Sequence, residues 1–153
     1  MLPGDLHLKP GHLIRRAHQI AVSIFLEECR EVDITPPQYA VLKVLETMPD
    51  LDQISLAHQA ALDRSTIGWL AERLEEKGWV RRTPGVQDRR QKLLSLTDEG
   101  RRVLALVEPG VERTQQRLLA PLSSEECRSF LAMLQRIVDI NNEASRAPFK
   151  DRQ

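Results

Sequence analysis

The fold is decided by one stretch: Ala61-Leu62-Asp63-Arg64-Ser65-Thr66-Ile67-Gly68-Trp69-Leu70-Ala71-Glu72-Arg73-Leu74-Glu75-Glu76-Lys77-Gly78. Asp63 suits an N-cap, because a carboxylate just ahead of a helix accepts from N–H groups that have no partner inside it. Leu62 before the cap and Ile67 within the helix form a hydrophobic staple, which fixes how the chain enters. Leu70 and Leu74 continue the apolar face. Gly78 stands where a C-terminal cap glycine belongs. Upstream, Asp52 can cap a shorter helix from Gln53 to about Ala60. Two helices of these lengths joined by a short turn make a helix-turn-helix.

Downstream lie two β candidates, Trp79–Thr83 and Gln91–Leu96, with Pro84-Gly85 as turn chemistry between them. The link through Arg90 is long and basic and is expected to project as a wing. Residues 81–92 hold Arg81, Arg82, Arg89, Arg90 and Lys92 against Asp88 alone, a local charge of +4. The whole chain has 22 basic and 22 acidic residues, so the rest carries the compensating −4. A neutral protein with one basic patch still attracts a polyanion, because phosphate contacts are local. Thr97 then caps a long helix, with Asp98 and Glu99 at its positive end. Leu104, Val107, Val111 and Leu118 repeat on one face of it, and Pro109-Gly110 is expected to interrupt and bend it. Ser123-Ser124-Glu125-Glu126 is a capping box opening a last helix. Phe130, Leu134, Ile137 and Asn141 share a stripe there, backed by Leu131 and Val138.

Toward the N-terminus, residues 1–10 contain Pro3, Gly4 and Pro10 and read as an extended arm. A first helix is expected from Gly11 to Arg30, with Leu13, Ala17, Ile20 and Ile24 at helical spacing and Ile14, Ala21 and Phe25 beside them. Thr35-Pro36-Pro37-Gln38 opens a second helix, and Met48-Pro49-Asp50 ends it. The fold class is therefore mainly α with a small β-wing: a winged helix-turn-helix of six helices. The first and last helices expose more apolar surface than so small a core can cover, so they are expected to form a homodimer. The division expected is an arm over 1–10, a dimerisation helix over 11–34, the winged helix-turn-helix over 35–97, dimerisation helices over 98–145 and a tail over 146–153.

Several function classes are disfavoured. No apolar run approaches the roughly 20 residues that span a bilayer, so no membrane partner is expected. Met1-Leu2-Pro3-Gly4-Asp5 lacks the basic and apolar regions of a secretory signal. Cys29 and Cys127 lie far apart without CxxC spacing, which fits a reducing cytoplasm and no disulfide framework. His7, His12, His18 and His58 show no metal-ligand spacing, so no metal is expected. No glycine-rich phosphate loop and no Ser-His-Asp arrangement is present, so neither an enzyme nor a cofactor is expected.

The run from Ala61 to Gly100 resembles the DNA-binding core of the multiple antibiotic resistance regulator (MarR) family. The resemblance rests on Asp63-Arg64-Ser65-Thr66, Arg73-Leu74-Glu75-Glu76-Lys77-Gly78-Trp79-Val80, Asp88-Arg89-Arg90 and Leu94-Ser95-Leu96-Thr97-Asp98-Glu99-Gly100. It extends over roughly residues 11–145. Leu13-Ile14-Arg15-Arg16, Gln19-Ile20-Ala21, Thr35-Pro36-Pro37-Gln38-Tyr39, Asp52-Gln53 and Asp63 to Gly68 look like a branch controlling degradation of aromatic acids, including nicotinic acid. Gly68-Trp69 departs from the polar residues typical of the family at that place. The resemblance implies a dimeric regulator, commonly a repressor, that leaves a palindromic operator on double-stranded DNA when it binds a small aromatic carboxylate.

In the helix-turn-helix reading, Arg64, Ser65 and Thr66 enter the major groove and Arg73 follows. Arginine can donate two bonds to guanine, while the two hydroxyls suit either bases and phosphates or plain helix capping. Arg81, Arg82 and Lys92 are candidate phosphate contacts, and Arg89 has the length and charge to reach a minor groove. The resemblance implies that Arg90 enters the minor groove and that Asp88 holds the wing by ion pairing. It also implies a ligand cleft between the dimer helices and the DNA-binding lobe. Arg15, Arg16, His18 and Tyr39 could supply it, since a guanidinium binds a carboxylate with two parallel bonds. Arg15 and Arg16 also suit an ordinary charged surface. Trp69 is open to three readings: a DNA contact, a pocket wall or a cover for the core. A rival regulator would sense oxidants through Cys29 or Cys127.

Overall fold

The computed structural model describes residues 4–151. Six α-helices and three strands follow in the order α1 (Pro10–Glu28), α2 (Pro36–Thr47), β1 (Leu51–Asp52), α3 (Gln53–Gln59), α4 (Arg64–Glu76), β2 (Val80–Pro84), β3 (Lys92–Leu96), α5 (Asp98–Leu119) and α6 (Ser124–Ile140). The expected fold class, a mainly α winged helix-turn-helix, is the one observed.

Each helix start named above is built as the capping rules require. Gln38 Oε1 accepts from the Thr35 backbone N–H at 3.1 Å. Asp52 Oδ1 accepts from the Ser55 N–H at 2.9 Å. The Thr97 hydroxyl accepts from the Gly100 N–H at 3.0 Å, and Ser123 and Glu126 exchange both bonds of a capping box. Gly78 ends α4 at φ +76°, a backbone conformation that only glycine adopts cheaply.

Several boundaries differ from expectation. Within the arm, Asp5 caps a 3-10 turn at Leu6–Leu8, and α1 begins at Pro10; Met1, Leu2 and Pro3 lie outside the described residues. The helix ends at Glu28 rather than Arg30. The sheet has a third strand, β1, in the order β1-β3-β2, with Leu51 opposite Leu94 and Val80 opposite Leu96. A strand of two residues has no periodicity to read. The strands flanking the wing each begin one residue later than expected. Finally, α5 runs unbroken through Pro109. Proline denies a bond to the carbonyl of Ala105, four residues back. Both residues sit on the exposed side of α5, where that carbonyl can turn to water.

The core joins α1 to the winged-helix lobe. Phe25 and Cys29 of α1, Val41, Leu42 and Leu45 of α2, Leu56 of α3, Ile67, Leu70 and Leu74 of α4, Leu94 and Leu96 of β3, and Val103, Leu104 and Val107 of α5 are all buried. α1 and α5 approach each other tightly at Gly110. A Cβ there would lie 2.5 Å from the Glu28 carbonyl oxygen and 3.0 Å from Cys29 Sγ. Salt bridges close the same junction: Arg113 Nε to Glu28 Oε2 at 2.6 Å, and Arg117 Nη1 to Glu28 Oε1 at 2.7 Å and Glu27 Oε2 at 2.9 Å. The two guanidiniums hold the Glu28 carboxyl below its ordinary pKa.

In contrast, α6 contains no buried residue. Phe130, Leu131, Met133, Ile137 and Val138 lie exposed along it, as do Leu13, Ile14 and Ile20 along α1. The chain then returns to the lobe. Asn142 brackets the Phe149 backbone with two hydrogen bonds, and Gln59 Nε2 donates to the Lys150 carbonyl at 2.9 Å.

The substitution Gly110→Ala tests the α1–α5 contact. Overpacking against backbone should cost about 1–3 kcal/mol and lower the thermal midpoint measured by circular dichroism. An unchanged midpoint would show that the helices are free to part.

Candidate nucleic-acid interface

The recognition helix is α4, and its rotation follows from its apolar stripe. Ile67, Leu70, Ala71 and Leu74 are buried against the core. The opposite face must therefore carry Ser65, Trp69, Glu72, Arg73 and Glu76, all exposed. At the helix start, Asp63 Oδ1 accepts from the Thr66 N–H at 2.8 Å and the Ser65 hydroxyl at 2.7 Å. Its Oδ2 accepts from the Thr66 hydroxyl at 2.8 Å. The Thr66 N–H and the two hydroxyls push the Asp63 carboxyl down to about 2, with a further contribution from Arg146. Both hydroxyl protons are thus engaged in the cap, and what Ser65 and Thr66 still offer a base is an accepting lone pair.

Glu75 joins the wing to α4. Its Oε1 accepts from Arg82 Nε at 3.1 Å and Nη2 at 2.9 Å, and its Oε2 accepts from the Arg82 backbone N–H at 3.3 Å. The guanidinium holds Glu75 below its ordinary pKa. Arg82, expected as a phosphate contact, is partly buried and paired with Glu75. Lys77 acts similarly at the end of α4: its ammonium donates to the Asp33 carbonyl and lies 4.4 Å from the Trp79 ring centre. No local pattern announces either pairing: Glu75 reaches across the turn to Arg82, and Lys77 reaches Asp33, which is distant in the chain.

The wing loop is tight at its base. The Gly85 N–H donates to the Gln91 carbonyl at 2.7 Å, and a Cβ on Gly85 would stand 2.6 Å from the Asp88 carbonyl oxygen. Asp88 holds the loop, but by accepting from the Arg90 backbone N–H at 2.9 Å. Among the described residues it forms no salt bridge, so the ion pair implied by the resemblance is replaced by a backbone bond. That leaves the Arg90 guanidinium unspent. Arg64, Arg81, Arg89, Arg90 and Lys92 are exposed, and their side chains form no hydrogen bond or salt bridge with the described residues. Arg73 Nη1 reaches Glu76 only loosely, at 3.5 Å.

The residues expected around a ligand are only partly brought together. A cavity of about 170 Å³ is lined by His18, Val22 and Phe25 of α1, Pro36 of α2, and Thr114 and Leu118 of α5. Tyr39 stands behind this wall, its ring centre 6.0 Å from that of Phe25. Its hydroxyl donates to Glu108 at 3.2 Å, and burial together with the Glu108 charge raises it to about 12. Arg15 contacts His12 and Gln19 on the same face as His18, one turn earlier. Arg16 faces a separate shallow groove with Gln19 and Ile20. Trp69 is 62% exposed on α4, so it does not cover the core.

The two candidate cysteines sit in different settings. Cys29 is 1% exposed, and burial raises its pKa, which disfavours the reactive thiolate. The Cys127 thiol points at the Leu119 and Leu122 carbonyls. Among the described residues no cluster could hold a metal ion, and no helix is long and apolar enough to cross a membrane.

The Asp63 cap has a pH signature. Its folded pKa lies below the ordinary 3.8, so the stability it contributes is present above that value and is lost as pH falls toward about 2. Asp63→Ala should lower the thermal midpoint at neutral pH, with the deficit shrinking between pH 4 and 2. A deficit independent of pH would refute a charged cap.

The MarR family matches residues 34–92. The transcriptional regulator HosA of Escherichia coli O127:H6 is 32% identical over 134 residues, covering 88% of this chain and 98% of its own. The homoprotocatechuate degradative operon repressor of Escherichia coli is 24% identical over 127 residues, covering 83% and 86%. The PcaV regulator of Streptomyces coelicolor, crystallised with its natural ligand, matches with a TM-score of 0.83 at 38% identity, covering 91% of this chain and 98% of that one. Bordetella bronchiseptica BpsR, whose DNA binding is regulated by 6-hydroxynicotinic acid, matches with a TM-score of 0.85 at 27% identity, covering 90% and 99%. With its capped recognition helix and basic wing, this chain belongs to the MarR family of transcription regulators and is similar to the branch that controls aromatic acid catabolism.

Proposed function

We propose that the protein is a homodimeric repressor of a catabolic operon, released from an inverted-repeat operator by a small aromatic carboxylate. The observation carrying this reading is the set of unpaired cations Arg64, Arg81, Arg89, Arg90 and Lys92 on α4, β2, the wing and β3. Other arginines, such as Arg30, Arg128 and Arg136, also form no salt bridge among the described residues; what supports the reading is that these five gather on α4 and around the wing, where an external polyanion can meet them together. Arg64 and Arg73 serve base edges or nearby phosphates, with Ser65 and Thr66 as acceptors. Arg89 and Arg90 serve the minor groove, with Asp88 shaping the loop, and Arg81 and Lys92 serve phosphates. Arg82 positions the wing through Glu75.

The dimer is formed by residues 11–34 and 98–145, and the winged lobe is 35–97. The exposed apolar faces of α1 and α6 support this division. The effector occupies the His18 cavity, with the apolar wall of Val22, Phe25 and Leu118 against its ring. Arg15 and His18 are the groups available to its carboxylate, Arg16 adds positive charge on the neighbouring stripe, and Tyr39 stiffens the wall through Phe25. Ligand binding favours a dimer whose recognition helices no longer match two successive major grooves.

The decisive experiment is a gel shift on DNA upstream of the protein's own gene, repeated with a panel of benzoate-like and nicotinate-like acids. One acid should weaken binding. A 100-fold effect corresponds to about 2.7 kcal/mol of coupling, and operator must weaken acid binding by the same factor. Equal acid affinity with and without operator would refute the switch. Arg81→Ala should weaken all sequences alike and reduce the salt slope by about 0.9, whereas Arg90→Ala should weaken AT-rich flanks selectively. Ile137→Asp should yield monomers in sedimentation; a monomeric wild type at micromolar concentration would remove the dimer from this account.

A further inference from the structure

Trp69 is the one large apolar side chain exposed on the DNA-facing stripe of α4, at 62%. Among the described residues it has no ring or cation contact, whereas Trp79 is 8% exposed with the Lys77 ammonium against its face. The His18 cavity is lined by α1, α2 and α5 alone, so Trp69 is no part of its wall. Its neighbour raises a second question. Gly68 lies inside α4, where glycine weakens a helix, yet an added Cβ would meet only Gln53 Nε2, at an ordinary 3.4 Å. Nothing within the protein requires glycine there.

One occupant of the stripe accounts for both residues. On the base edges of the major groove the one methyl is that on thymine C5; cytosine offers only a small C5–H there, and the remaining groups are hydrogen-bond donors or acceptors. We infer that Trp69 reads a thymine through that methyl, and that Gly68 lets the α4 backbone come close enough for the indole to reach it. This rests on the DNA-binding reading above and adds a specificity element to it. The indole N–H remains free to donate to a neighbouring base acceptor or a phosphate.

The test begins with wild-type protein and a pool of random duplexes, from which bound sequences are recovered. Each thymine of the recovered site is then replaced by uracil, which removes only the methyl. At one position per half-site the replacement should lower wild-type affinity about 4-fold, the effect of one buried methyl. Trp69→Ala should bind the intact site roughly tenfold more weakly and be indifferent to uracil at that position. Gly68→Ala should raise the thermal midpoint yet weaken binding. In wild type, DNA should shield the exposed Trp69 from acrylamide quenching, a readout that needs no variant. If no sequence is enriched, the DNA-binding reading itself falls. If sequences are enriched but Trp69→Ala keeps the same uracil sensitivity at every position, or Trp69 stays fully quenchable on DNA, the inference alone is overturned.

Discussion

Burial of Ile67, Leu70, Ala71 and Leu74 is the constraint on which the rest of the molecule depends. A helix of 13 residues cannot turn about its axis once four of them are locked into a shared core. That lock presents Ser65, Trp69 and Arg73 outward. It also sets Glu75 where it can grip the start of β2 through Arg82. The wing is therefore tied to α4 itself, which joins the two parts proposed to meet DNA.

The distribution of paired and unpaired charge follows the same division. Where helices must stay together, carboxylates and guanidiniums meet: Glu28 with Arg113 and Arg117 at the α1–α5 junction, Glu75 with Arg82 beneath the wing. On the face proposed to meet a polyanion, Arg64, Arg81, Arg89, Arg90 and Lys92 have no side-chain partner among the described residues, and Arg73 is held only loosely by Glu76. Asp88 shows how a short loop keeps this arrangement. By holding the Arg90 N–H, it shapes the wing without neutralising the guanidinium beside it.

The α1–α5 junction links the winged lobe to the exposed helix faces. α5 starts at the sheet, beside the DNA-facing lobe, passes Gly110 against the Glu28 carbonyl, and leads to the exposed apolar face of α6. The His18 cavity lies along the same helix pair. On the effector reading proposed above, a ligand wedged there would act on a tightly packed contact, and a shift of α1 against α5 would be passed on to the lobes.

Much of this was legible in the sequence. Caps at Thr35, Asp52, Asp63, Thr97 and Ser123, the cap glycine at Gly78 and the apolar spacing of α4 and α5 are local signals, acting over three to five residues, and they define the helices and the helix-turn-helix order. The excess of charge in residues 81–92 marked the wing as a candidate polyanion-facing element for the same reason. Other features belong to tertiary structure alone. The strand Leu51–Asp52 exists only because Leu94 and Leu93 lie opposite it. Arg82 is spent on Glu75 and Tyr39 on Glu108 because folding brings distant carboxylates to them. Trp69 faces outward, and Pro109 leaves α5 unbroken, because packing decides which side of a helix meets water. Capping and periodicity are interactions between near neighbours, so one chain read in order determines them. Pairing and exposure depend on what lies across the core, and only the closed fold decides that.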